Sequence, residues 1–260
     1  MIIAVGVEYL GSNYCGWQRQ THSPSVQACV EKALSTVANH KVEVFCAGRT
    51  DTGVHATGQV IHFETSAERP SKAWVMGGNA HLPDDIAIQW AQTMKEDFHA
   101  RFSAVSRRYR YVIANVRSRP AVLSGQVTWI REPLDETKMH EAAQHFLGEQ
   151  NFSSFQAASC QSPTPFRNVT SIKVIRKNEF VMIDITANAF LHHMVRNISG
   201  SLIEVGRRNQ ATDWIKWLMQ QEDRTLAAPT AAPDGLYFIQ ANYPAACRLP
   251  GRQSSLWLFD

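Results

Sequence analysis

No Cys-x-x-Cys pair occurs in these 260 residues, and the five cysteines (15, 29, 46, 160 and 247) are odd in number and far apart. That spacing supports neither a zinc knuckle nor a disulfide framework, so reduced, structural thiols are expected. No run of 18 apolar residues is present, which excludes a membrane-spanning helix of ordinary length. The first residues, MIIAVGVEYL, lack a basic n-region and read as a strand rather than a signal peptide, so a cytoplasmic chain without a membrane partner is expected. Acid is missing from long stretches. Between Phe98 and Arg131 there is no Asp or Glu, yet there are seven arginines: 101, 107, 108, 110, 117, 119 and 131. A second acid-free stretch, 151–178, carries Arg167, Lys173, Arg176 and Lys177. The net charge is only +3, so it is the distribution that points to an anionic polymer. Tyr109 and Tyr111, among the arginines, add stacking faces to a phosphate-tracking surface.

What is present is concentrated between Ala47 and Gln59, AGRTDTGVHATGQ. Asp51 and Arg49 lie two residues apart, bracketed by Gly48 and Gly53, which permit backbone conformations other residues resist. A tight loop holding a carboxylate beside a guanidinium suggests a nucleophile or base. Its structural alternative is an Asx turn. Asp-Thr-Gly also matches aspartic proteases, but those need two such aspartates sharing a proton, and this chain has one.

Alternation at Ile3, Val5, Val7 and Tyr9 predicts a half-buried strand. Ser23 and Pro24 read as an N-cap and first helical position, and Val26, Val30, Ala33 and Val37 as the apolar face of a helix. Strands are expected over 42–45 and 59–63, flanking the Asp51 loop, and over 86–92. Residues 70–79 suit a short helix. Further on, 108–114 reads as a strand, and Met139, Ala142, Ala143 and Phe146 as a helix ending at Gly148. Residues 169–175 and 180–187 read as a hairpin, 190–205 as a helix closed by Gly206, Trp214, Trp217 and Leu218 as a helix marking core or subunit interface, and 236–241 as a last strand before an irregular tail to Asp260. Strand–helix–strand–strand in each half predicts an α+β fold of two similar lobes sharing a central, mainly antiparallel sheet flanked by helices, with a cleft between them. The lobes are expected over 1–105, carrying the Asp51 loop, and 106–260.

GRTDTGVHATGQV, with YCGWQRQ before it and FHARFSAVSRRYRY and NAFLHHMVRN after it, resembles the TruA family of tRNA pseudouridine synthases. PSVQ, GGNAHLPDDI, FLGEQNFSSF, DRTLAA and APDGLY extend the resemblance in order to about residue 243. Gln150-Asn151 departs from the His-Asp or Asn-Asp pair usual there. The resemblance implies an isomerase that converts uridine to pseudouridine at positions 38, 39 and 40 of the tRNA anticodon stem-loop, working as a homodimer. It places the catalytic aspartate on Asp51, the active-site tyrosine on Tyr109 and the arginine partner of the aspartate on Arg196. Arg49 falls on the arginine associated with the flipped base, and Leu236 on the residue packing against uracil. Arg107, Arg108 and Arg110 are the expected RNA contacts.

A carboxylate can add to C6 of the ring, trap ribose C1′, or take a proton as a glycal forms; the residues leave these routes open. Tyr109 offers a stacking face and a proton acceptor; alone, it would read as a core aromatic, and Leu236 as ordinary strand core. No redox change occurs, so neither cofactor nor metal is expected. His192 and His193, read as adjacent helical residues, are expected to face different ways. A non-catalytic RNA-binding module is the rival reading, and Asp51 argues against it, because plain binding has no use for an acid facing anionic RNA.

Overall fold

The computed structural model describes residues 1–250. The chain forms two compact units, one from Met1–Val105 with residues 238–250, the other from Ser106–Tyr237. Each is α+β, with a mainly antiparallel sheet flanked by helices, as the strand and helix pattern predicts.

In the first unit, β1 (Ile2–Tyr9) is the middle strand. It pairs antiparallel with β3 (His55–Glu64) on one side and β4 (Ile86–Met94) on the other. Two helices, α1 (Val26–Ala38) and α2 (Ser71–Asn79), supply the apolar cover. Trp74 of α2 meets Phe63 of β3 edge to face at 5.1 Å. Gly78 brings α2 close to β4, since a Cβ there would sit 2.4 Å from Ile88 Cδ1. β1 is not half-buried as expected: Ile2 to Val7 are all buried. Its second face carries the small residues Ala4 and Gly6, and the Trp90 ring occupies the space over Gly6.

Two further expectations in this unit are corrected. The cap of α1 is Ser25, not Ser23; its hydroxyl accepts the Ala28 N–H at 3.4 Å, and the Pro24 carbonyl is already taken by the Cys15 N–H. The strand expected over 42–45 shrinks to β2 (Phe45–Cys46), paired with β3. Val42 and Val44 are buried, but side chains on α1 take their N–H groups, Ser35 Oγ at 2.9 Å and Glu31 Oε1 at 3.1 Å, so neither enters a ladder.

The second unit is built on β5 (Ser106–Ala114), β7 (Gly148–Asn151), β8 (Phe166–Lys177) and β9 (Phe180–Ala187), all antiparallel neighbours in the order β5-β9-β8-β7. A short strand, β6 (Thr128–Trp129), joins β5 in parallel. The β8–β9 hairpin turns at Asn178, whose φ of 53° is the left-handed conformation asparagine tolerates. Helices α3 (Glu136–Ala143), α4 (Met194–Gly206) and α5 (Trp214–Gln221) cover the sheet over a core including Met139, Phe146, Phe155, Ile185 and Leu202. The helix expected from Phe190 begins only at Met194, because His193 is left-handed at φ 61° and cannot continue a helix N-terminally. His192 and His193 therefore sit in a turn with rings 4.0 Å apart, against the expectation that a helix would separate them. Trp217 is exposed and Trp214 half-exposed, so neither is core. Gln150 and Asn151, the departure from the family pattern, serve local structure. Gln150 Nε2 donates to the His145 and Leu147 carbonyls, and Asn151 Oδ1 accepts from Ser153.

The last strand, β10 (Leu236–Asn242), opens with two residues of the second unit and continues in the first. The irregular tail expected to Asp260 falls, beyond residue 250, outside the described residues.

Candidate active site

The Asp51 loop connects β2 to β3 and is fastened from behind by residues 9–17. The Thr50 hydroxyl lies 2.8 Å from the Tyr9 hydroxyl, and the Thr50 carbonyl accepts the Trp17 N–H at 3.0 Å. Gly53 donates its N–H to the Tyr14 carbonyl at 3.3 Å. Gly16, at φ +87°, passes so close that a Cβ would lie 2.7 Å from the Thr50 carbonyl oxygen. At the strand end, the buried Gln59 amide holds Gly48 from both sides, donating to its carbonyl at 2.6 Å and accepting its N–H at 3.4 Å. The Asp51 carbonyl accepts the Val54 N–H at 3.1 Å, closing a tight turn in which Gly53 takes φ +78°. The loop is thereby held at Thr50 and at Gly53, on either side of Asp51, while Asp51 stays half-exposed.

Burial pushes the Tyr9 phenol well above the ordinary tyrosine range, with its bond to Thr50 opposing, so it stays protonated as a scaffold group. Arg49 is exposed. Its charge is felt at Cys46, whose thiol burial raises to about 12 against the opposing pull of Arg49 and Arg101.

In the second unit, Tyr109 lies on β5 with its ring buried against Phe190, edge to face at 4.9 Å. Strand alternation turns its neighbours Arg108 and Arg110 to the opposite face. There Asp184 of β9, directly across from Arg110, accepts from both: Arg108 Nη2 at 2.8 Å and Arg110 Nε at 2.9 Å. Burial opposes ionisation of Asp184, but the two guanidiniums outweigh it and hold its carboxyl below the usual range. Arg110 is 6% exposed. Arg107, on the Tyr109 face, is half-exposed and donates to the Asn188 carbonyl at 3.0 Å.

Arg196 stands in the first turn of α4, clasped to the segment before β10. Its Nε donates to the Ala231 carbonyl at 2.8 Å, and its own carbonyl accepts the Ala231 N–H at 3.2 Å. The next residue, Asn197, is fully buried and accepts from Arg224 at 3.1 Å and from Thr230 at 2.7 Å, while its amide donates to the Phe155 carbonyl. Gly200 completes the seam, since a Cβ there would lie 2.2 Å from the Pro229 carbonyl oxygen. That seam carries the chain through Gly235, where a Cβ would lie 2.4 Å from the Val112 carbonyl oxygen, to Leu236, which is buried at the start of β10. Tyr111, two residues beyond Tyr109, donates its hydroxyl to the Ala232 carbonyl at 2.8 Å. Burial raises its phenol, the Arg196 charge opposes the rise, and Asp234 adds to it. The second unit therefore gathers Arg196, Tyr111 and the 231–236 segment, with Tyr109 one strand pitch along. Sequence reasoning missed Asn197, Arg224 and Thr230 as the fasteners, although DRTLAA lay within a recognised motif.

No helix among the described residues is long and apolar enough to cross a membrane. A family model described as tRNA pseudouridine synthase matches residues 5–103 and 142–244. A protein named tRNA pseudouridine synthase A from Mannheimia succiniciproducens is 60% identical over 96% of this chain and 95% of its own. Proteins of the same name from Haemophilus influenzae and Pasteurella multocida are each 58% identical, over 97% and 96% of this chain and 94% and 95% of their own. A solved Cbf5-Nop10-Gar1 complex reaches a TM-score of 0.35 at 13% identity, covering 77% of this chain and 45% of that one, too slight a likeness to weigh. With most of its length matched by the family model and nearly all of it by these relatives, the chain belongs to the tRNA pseudouridine synthases, isomerases that act on tRNA.

Proposed function

We propose that this chain isomerises uridine to pseudouridine at positions 38, 39 and 40 of the tRNA anticodon stem-loop, with Asp51 as nucleophile and without a cofactor. The observation that supports this reading most is the Asp51 loop: backbone bonds lock both flanks of one half-exposed carboxylate. A preset carboxylate reaches an electrophilic carbon without first reorganising. The target base is stacked in its RNA and must be extruded to be reached. Exposed Arg49 is suited to fill the space the base leaves. Tyr109 supplies a ring face and a phenol for the C5 proton, Leu236 an apolar contact for uracil, and Arg196 the cation that serves the carboxylate. A homodimer in the cytoplasm is the expected working form.

Carbodiimide labelling of tRNA incubated with the purified chain tests the reading. New labelled sites are expected within the anticodon arm at positions 38 to 40. Labelling confined to another arm would overturn the positional assignment.

Affinity for tRNA should fall steeply with salt, because cations released from phosphates drive binding. Of the three arginines proposed as RNA contacts, Arg107 and Arg108 keep exposure, and Arg110 is buried against Asp184. Arg107→Ala is expected to lower the slope of log affinity against log salt by about 1. Arg110→Ala should change that slope little. Filter binding across a salt series measures both, and equal slopes for Arg107→Ala and the parent would remove Arg107 from the RNA surface.

A further inference from the structure

Five side chains on the first unit form a continuous pile that the chemistry above does not use. Phe45 of β2 stacks on His62 of β3, centroids 5.2 Å apart at 25°. His62 meets His99 at 4.4 Å, and His99 meets Phe102 at 4.4 Å. The pile ends in water, with Phe102 75% exposed and the Arg101 guanidinium 5.4 Å from its ring centroid. The rings are held in place. His62 Nδ1 accepts the Ala100 N–H at 3.1 Å, and His99 Nδ1 accepts the N–H groups of Arg101 and Phe102 at 3.1 and 3.3 Å. Ser103 closes the turn, its hydroxyl taking the His99 N–H at 3.0 Å. Both imidazoles accept at Nδ1, so each carries its proton on Nε2 and is neutral. Burial and the neighbouring His99 lower the His62 pKa to about 4, and burial and Arg101 lower that of His99.

We infer that Phe102, backed by His99 and flanked by Arg101, is a stacking platform for an unpaired base of the bound tRNA. This rests on tRNA being the substrate. Three features select that occupant. The outer face is a rigid, flat ring, and every base offers a flat face in return. Two cations approach it: Arg101 lies over the ring, and the charges of Arg49 and Arg101 both reach Cys46, next to Phe45 in β2; the acids nearest in the chain are Glu43, paired with Lys41 at 2.9 Å, and Glu96 and Asp97, which precede the His99 turn. A second copy of the chain is disfavoured, because a two-fold contact sets a patch against itself and would bring these arginines face to face.

The test is direct tRNA binding by the full chain carrying Phe102→Leu or Phe102→Tyr. Leucine keeps apolar volume and loses the ring; tyrosine keeps the ring. Phe102→Leu is expected to weaken binding about tenfold with an unchanged salt slope, since the ring carries no charge. Phe102→Tyr should bind within about twofold of the parent. Equal affinity of the leucine variant and the parent would overturn the platform. So would a drop in affinity accompanied by a smaller mass in light scattering, which would make the patch an interface between copies. Failure of the parent itself to bind tRNA would instead remove the functional reading beneath it.

Discussion

Asp51→Asn is expected to bind tRNA at least as tightly as the parent and to form no measurable pseudouridine. The amide keeps the shape of the side chain in a loop whose backbone is fixed independently, by Tyr9, Tyr14, Trp17 and Gln59. Fold and loop geometry should therefore survive. The substitution removes a negative charge from a half-exposed position on the surface proposed to face RNA phosphate, which favours binding. It also removes the only atom proposed to form a covalent bond, and an amide oxygen is a far weaker nucleophile. Losses on removing a nucleophile reach about 10⁴-fold or more. Single-turnover assays with labelled tRNA measure both quantities on one sample. Turnover by the asparagine variant within about a hundredfold of the parent would exclude Asp51 as nucleophile. Tyr109→Phe then separates stacking from proton transfer: near-normal turnover means the ring only stacks, and slow release of the C5 proton means the phenol relays it.

Asp184→Ala carries the largest expected effect on stability. It removes the carboxylate that pairs with the Arg110 guanidinium, whose side chain is 7% exposed, and with Arg108, whose side chain is 35% exposed. Breaking a buried pair from one side costs about 3 kcal/mol or more; the Arg108 share is discounted because solvent screens it. Urea denaturation should show the midpoint fall with an unchanged m-value. Replacing Arg108 and Arg110 by methionine in the same chain should recover most of the loss, because no uncompensated charge then remains. The pH dependence has a definite sign. The folded pKa of Asp184 is lowered, so its contribution is present in full above the unfolded value, about 4, and is lost as pH falls through the folded value. The gap in stability between the parent and Asp184→Asn should accordingly narrow below about pH 4. A gap that stays constant to low pH would mean that the carboxylate charge does not stabilise the fold.

These two residues differ in how far they can be read along the chain. Asp51 sits in a local pattern of glycines and threonines between two apolar runs, and the loop is visible there. Tyr9 and Trp17, which hold that loop, lie thirty or more residues before it, and nothing beside them in the chain marks that role. The hairpin at Asn178 and the strands expected over 86–92 and 108–114 are found, each strand two residues longer than expected, Ile86–Met94 and Ser106–Ala114. Helix α4 was misjudged at its start, because apolar periodicity from Phe190 says nothing about a left-handed His193. The segment 42–44 was misjudged because Ser35 and Glu31 satisfy its backbone from a neighbouring helix.

The sequence by itself determined the α+β class, the family, the Asp51 loop and the acid-free stretches, because each depends on residues close together in the chain or on several motifs in order. Only the tertiary structure decided what those stretches present to solvent. Arg108 and Arg110 lie in a stretch without a single acid, yet Asp184, more than seventy residues on, stands across the ladder and takes both. Phe102, in the same stretch, is left outermost on a pile of rings drawn from three parts of the chain. Charge balance and ring exposure depend on which strands become neighbours, and strand pairing joins residues that chain order keeps apart.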